Sequence, residues 1–166
     1  MIQTCGNTDF EAVYQVINDA AEAYRGVIPQ DRWKEPYMPR EELQQEMDAG
    51  VRFSGIRQGV DLAAVMGIQA VKDVTLIRHA YTAIRFQGQG LGGRLLDHLH
   101  GQANTPLLVG TWADAVWAVR FYQGRGFRLA RRAETEVLLE KYWDIPRRQV
   151  ETSVVLSDVP VDDLLS

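Results

Sequence analysis

Apolar positions along this chain keep two rhythms, and the switches between them divide it into elements. Ile2–Cys5 has the short extended pattern of a first strand. Ala12, Val13, Val16, Ile17 and Ala20 then share one side of a helix expected near residues 9–24, capped by Thr8 or Asp9 and ended at Arg25-Gly26. Residues 27–40 carry Pro29, Trp33, Pro36, Tyr37 and Pro39, too interrupted for a long helix and too aromatic for a plain linker, so a structured lid is expected. Pro39-Arg40-Glu41-Glu42 opens a second helix that runs to about Ala49 and stops at Gly50, with Leu43 and Met47 one turn apart.

From residue 51 the period shortens to that of strands. Val51–Arg57, Val60–Val71 and Val74–Thr82 are separated by the tight turns Gln58-Gly59 and Lys72-Asp73, which predicts an antiparallel meander. A glycine-rich loop and a helix over 91–103 follow, then an apolar strand Pro106–Trp112, a parallel neighbour reached by one crossover, and a helix from about Asp114 to Gln123. Phe127–Ala133 and Gln149–Leu156 are expected as a closing strand pair around an insertion at 134–148. The pattern predicts one α/β (α+β) domain over 1–156, with an acidic, loosely held tail over 157–166.

Composition narrows the function classes. The chain has 166 residues, 46% of them hydrophobic, enough for one core. A net charge of −4 argues against a nucleic-acid partner, because phosphate backbones select clustered Lys and Arg. The single cysteine, Cys5, excludes an internal disulfide and a thiolate metal site, and no metal is expected. The N-terminus lacks a basic flank and a long apolar run, so neither a signal peptide nor a membrane span is expected, and a cytoplasmic enzyme or binding domain is the reading.

The chemistry concentrates at Gln87-Gly88-Gln89-Gly90-Leu91-Gly92-Gly93, directly ahead of the helical pattern Leu91, Leu95, Leu96, Leu99. Glycines let backbone approach a ligand, and a helix N-terminus offers free N–H donors, so the loop is built to hold phosphate without a lysine. The same residues satisfy Gly-x-Gly-x-x-Gly, with Asp114 roughly 20 residues on, which keeps a dinucleotide-binding domain open. Against it, hairpin-linked strands precede the loop and only one crossover follows. A Walker-type loop fails because no Lys-Ser or Lys-Thr follows the glycines.

Gln87-Gly88-Gln89-Gly90-Leu91-Gly92 resembles the Gln/Arg-x-x-Gly-x-Gly/Ala signature of the GNAT N-acetyltransferase superfamily, and Ala118-Val119-Arg120-Phe121-Tyr122-Gln123-Gly124-Arg125-Gly126-Phe127 resembles that family's Ala-x-x-Phe-Tyr-x-x-x-Gly-Phe block. The resemblance implies a mixed, mostly antiparallel central sheet flanked by helices, with a splayed strand pair at the cofactor site. It also implies acetyl-CoA as cosubstrate, with Gln87, Gly88, Gln89, Gly90, Leu91, Gly92 and Gly93 around the pyrophosphate and Ala80, Tyr81 and Thr82 along the pantetheine arm. Thr82 and Ile84 stand where Val and Pro are common, which leaves open the bulge that splays the strand, and Ala115 replaces a common Asn contact.

Acetyl transfer to an amine needs an uncharged nucleophile, donors for the developing oxyanion and a proton for the leaving thiolate. The resemblance makes Tyr122 the general acid; the spacing Ala115, Ala118, Val119, Tyr122 equally fits a packed core aromatic. Gly110 occupies a position where some relatives carry a glutamate base. His79 is the candidate base, with a water relay or entry of neutral amine as alternatives; strand alternation sets Arg78, Ala80 and Thr82 on one face and His79 and Tyr81 on the other. His98 and His100 are expected on a solvated helix face, without a function. Trp33, Tyr37, Trp112, Tyr142 and Trp143 are candidates to line the pocket of a small-molecule or peptide amine, with Glu22, Asp31 or Glu35 to attract an ammonium. Core packing or a homodimer contact is the other use of these aromatics. A silent CoA-binding sensor and a nucleotide-binding regulatory domain stay open beside the enzyme.

Overall fold

The computed structural model describes residues 1–165. Its strands are β1 (Ile2–Thr4), β2 (Arg52–Gln58), β3 (Asp61–Val71), β4 (Val74–Thr82), β5 (Leu107–Trp112), β6 (Arg128–Leu129) and β7 (Ser153–Ser157). They make one seven-stranded sheet in the order β1-β2-β3-β4-β5-β7-β6. β4 and β5 run parallel, and every other described neighbour pair is antiparallel. A doubly wound dinucleotide fold would need a series of parallel crossovers, and the described sheet contains a single parallel pair.

The helices are α1 (Phe10–Ala21), α2 (Arg40–Asp48), α3 (Leu91–Gln102), α4 (Val116–Gln123), α5 (Arg132–Tyr142), α6 (Arg147–Thr152) and α7 (Asp162–Leu165). Strand alternation decides which face each covers. Ile77, Leu107, Val109 and Leu156 point to one side, where Leu95, Leu96 and Leu99 of α3 pack with Tyr122 and Phe127. Their neighbours Leu76, Leu108 and Val155 point to the other, under Leu138 and Leu139 of α5. On that second side α1 and α2 also pack, through Val13, Ile17 and Leu43 against Phe53 and Val65. The lid segment is anchored to α1 by Asn18, whose side chain accepts from the Met38 N–H at 2.9 Å and donates to the Met38 carbonyl at 3.0 Å.

The closing strand pair differs from the sequence expectation. β6 is two residues long, and the stretch expected as its continuation starts α5 instead. Thr135, Leu138, Leu139 and Tyr142 are buried at helical spacing, and Glu134 Oε1 accepts from the Arg131 N–H at 2.9 Å to close the first turn. Pro146 precedes α6, which takes residues expected in the last strand. The acidic tail is not loose over its described part: Val161 and Leu164 are buried against α5, and Lys141 Nζ donates to the Leu164 carbonyl at 3.0 Å. Ser166, the end of the expected tail, lies outside the described residues.

Candidate functional site

β4 and β5 pair only where Thr75, Leu76 and Ile77 meet Leu107, Leu108 and Val109. Beyond that point β4 stays with β3 as far as Thr82 and β5 stays with β7 as far as Trp112, so the two strands diverge. The divergence opens a cleft of about 770 Å³. Its β4 wall is shaped by a bulge: pairing jumps from Gly67 with Arg78 to Val65 with Tyr81, and His79 takes φ +55°. A bulge adds twist to its strand, and here it turns the end of β4 away from β5.

The bulge also corrects the facing of Arg78 and His79. Unbroken alternation would part these neighbours, yet Arg78 Nη2 and His79 Nε2 each lie 3.3 Å from Glu46 Oε1 on α2. Burial raises the carboxyl pKa of Glu46, but His79 and Arg78 together outweigh it and hold the group below its ordinary value. The His79 contact is close but not aligned as a hydrogen bond. Its ring lies 6.2 Å from that of Phe53, on the cleft wall. Glu46 was not legible as a site residue, because in sequence it is one of several acids on a short polar helix.

At one end of the cleft lies the glycine loop. Gly88 and Gly90 adopt φ +82° and +77°, a left-handed conformation that side chains resist, and Gly90 ends the loop and starts α3. The first hydrogen bond of the helix runs from the Arg94 N–H to the Gly90 carbonyl at 3.1 Å, leaving the N–H groups of residues 91–93 without helical acceptors. Gln87, Gly88, Gly90, Leu91, Gly92 and Gly93 line the cleft, as do Ala80, Tyr81 and Thr82. Gln89 does not; its amide faces Gln58 at 3.4 Å. Arg125 lies across the first turn of α3, where any Cβ at position 93 would overlap its guanidinium, and Asp97 Oδ2 fixes it at 2.7 Å. In the sequence Arg125 is part of a Gly-Arg-Gly helix end, so only the fold reveals this cation beside the loop.

Tyr122 sits deeper, buried between Phe121 and Phe127 at ring distances of 5.0 and 5.6 Å. Burial, with a smaller contribution from Tyr24, pushes its phenol well above the ordinary tyrosine pKa, so it stays protonated at neutral pH. No described group hydrogen-bonds its hydroxyl, and Tyr122 is one of the residues that line the cleft. Tyr122 is thus a core aromatic with a free donor.

The far end is aromatic. Tyr24 packs on Tyr81 and Trp117 at 6.0 and 5.1 Å, and Tyr37, Trp112 and Trp143 complete the wall. Gly110 makes room for Trp143, whose Cζ2 would lie 3.3 Å from a Cβ there. Two sequence candidates fall outside. Trp33 is held by Glu35, which accepts from its Nε1 at 2.8 Å, and by Arg25, 4.5 Å above the ring; the Tyr142 hydroxyl donates to Asp73 at 2.7 Å. The three carboxylates expected to attract an ammonium are engaged as well: Glu22 and Glu35 with Arg25, Asp31 with Arg148. His100 Nε2 lies 3.0 Å from Asp158 Oδ2, joining the end of α3 to the segment after β7.

Among the described residues no helix is long and apolar enough to cross a membrane, and no three His, Cys, Asp or Glu side chains gather as a metal site. Comparison with known proteins gives the architecture its relatives. An acetyltransferase of Streptococcus agalactiae superposes with a TM-score of 0.72 at 15% identity, over 96% of this chain and 98% of its own. The PaiA N-acetyltransferase of Thermoplasma acidophilum, in complex with coenzyme A, gives 0.70 at 14% identity, over 96% and 98% of the two chains. A GNAT family acetyltransferase from Elizabethkingia anophelis with acetyl-CoA bound gives 0.62 at 18%, over 95% of each. No curated protein sequence matches significantly. The family description "Acetyltransferase (GNAT) domain" matches residues 12–137, from α1 into α5 and across both sequence blocks, and the chain belongs to that family.

Proposed function

We propose that the protein transfers the acetyl group of acetyl-CoA to an amine by direct attack on the thioester. The observation that carries this reading is the placement of three unlike groups along one cleft: free N–H donors at the start of α3, a diverging β4 edge, and the unengaged Tyr122 hydroxyl. Residues 88, 90 and 91–93, with Arg125 beside them, suit the pyrophosphate, since backbone donors, a helix dipole and a guanidinium all favour anionic oxygen. The exposed edge of β4 at Ala80–Thr82 suits an amide-bearing arm laid alongside it as an added strand.

Acetyl-CoA would supply an activated acyl carbon. The amine nitrogen forms the new bond to that carbon, the C–S bond breaks, and the sulfur leaves with the electron pair and takes a proton from Tyr122. The amine loses one proton to water or to His79, whose neighbour Glu46 would stabilise the imidazolium so formed.

Thermal melts with acetyl-CoA, CoA, NAD and ATP test the reading. A ligand present at 100 times its Kd and bound only by the native state stabilises by about 2.7 kcal/mol. Acetyl-CoA and CoA are expected to raise the melting temperature, and NAD and ATP to leave it unchanged. A folded Gly90→Val variant should lose the acetyl-CoA shift, because valine resists φ +77°. Stabilisation by NAD alone would overturn the reading. Binding of acetyl-CoA without thiol release to any amine would reduce it to a sensor.

A further inference from the structure

The chemistry of the cleft is lopsided. Three of the four tryptophans and four of the six tyrosines of the chain line it. Its basic lining residues are Arg78, His79 and Arg125, and among the described residues no aspartate or glutamate lines it. The bordering acids are committed: Glu22 and Glu35 to Arg25, Asp31 to Arg148, and Glu46 to Arg78 and His79. A polycationic acceptor would meet no uncommitted carboxylate, with Arg78 already paired to Glu46 and Arg125 beside the glycine loop. Aromatic faces attract a cation, but a cation held by a ring has no lone pair with which to attack.

We propose that the acceptor is a weakly basic primary amine on an uncharged aromatic body, a reading that rests on the acetyl transfer proposed above. An α-amino group has a pKa of about 8 and an alkylammonium one of about 10.4, so at neutral pH the former presents on the order of 100-fold more neutral nucleophile. A site without a lining carboxylate to take the proton favours the amine that has already lost it. The aromatic body answers Tyr24, Tyr37, Trp112 and Trp143, which offer stacking area and hydroxyl or indole donors but no charge.

Four probes separate basicity from aromaticity: phenylalaninamide, phenethylamine, glycinamide and spermidine, assayed by thiol release at saturating acetyl-CoA. Phenylalaninamide is expected to exceed both phenethylamine and glycinamide in kcat/KM at pH 7 by 10-fold or more, with spermidine slowest. The acidic limb of kcat/KM should move to higher pH from phenylalaninamide to phenethylamine, following each acceptor's own ionisation. A preference for spermidine, equal rates for phenylalaninamide and glycinamide, or one limb common to both aromatic amines would overturn the proposal. So would the absence of turnover with phenylalaninamide while calorimetry shows acetyl-CoA binding. Absence of acetyl-CoA binding would instead defeat the acetyl-transfer reading itself.

Discussion

The ring and the hydroxyl of Tyr122 have different surroundings. The ring is held by Phe121 and Phe127, while the hydroxyl bonds no described group. Removing the oxygen therefore leaves packing intact and takes away only the proton donor. Tyr122→Phe is expected to lower turnover about 10- to 1000-fold with acetyl-CoA affinity and melting temperature unchanged. Steady-state rates beside a thermal melt decide it: wild-type turnover with a lower melting temperature would make the residue structural. That Tyr122 and the glycine loop lie on the cleft was legible because local motifs mark them. Glu46 and Arg125 were not, since each acquires its role from a partner distant in sequence, His79 for one and the first turn of α3 for the other.

β4 gains its shape from one residue in an uncommon conformation. At φ +55° His79 occupies a region that histidine, asparagine and glycine tolerate and β-branched residues resist. His79→Asn should keep the bulge, while His79→Val should destabilise by about 1–2 kcal/mol more, measured by urea unfolding. His79→Asn is also expected to slow acetylation by less than the roughly 100-fold typical of losing a dedicated base, because water can carry the amine proton. A 1000-fold loss with acetyl-CoA binding intact would make the imidazole catalytic. At this scale the meander, α1, α2 and α3 followed from periodicity, and α5 did not. Its apolar residues sit among charges, so the helix shows itself only once Leu138 and Leu139 have the sheet to cover.

Across the whole molecule, charge pairing is expected to contribute to the acid limb of stability. Hydrogen bonds from Arg40, Arg25 and Arg131 hold Glu11, Glu22 and Glu134 below their ordinary pKa, Trp33 and then Arg25 do so for Glu35, and Tyr142 does so for Asp73. A carboxylate whose folded pKa lies below its unfolded value stabilises fully above about pH 4.3, and that stabilisation is lost as pH falls through the folded value. The urea midpoint should therefore be steady at mildly acidic pH and fall below about pH 4. Because these groups are exposed, added salt should flatten the fall. A midpoint independent of pH through that range would remove the pairs from the stability account.

The three-residue seam between β4 and β5 has a kinetic counterpart. Hairpin neighbours β2, β3 and β4 are joined by tight turns and can zip locally, whereas the seam waits until the chain has looped out through α3 and back. The join is short, and it lies at the apex of the cleft, where the two strands part. A cofactor laid across both strands would tie them together beyond this short seam, and so is expected to stabilise the molecule against unfolding.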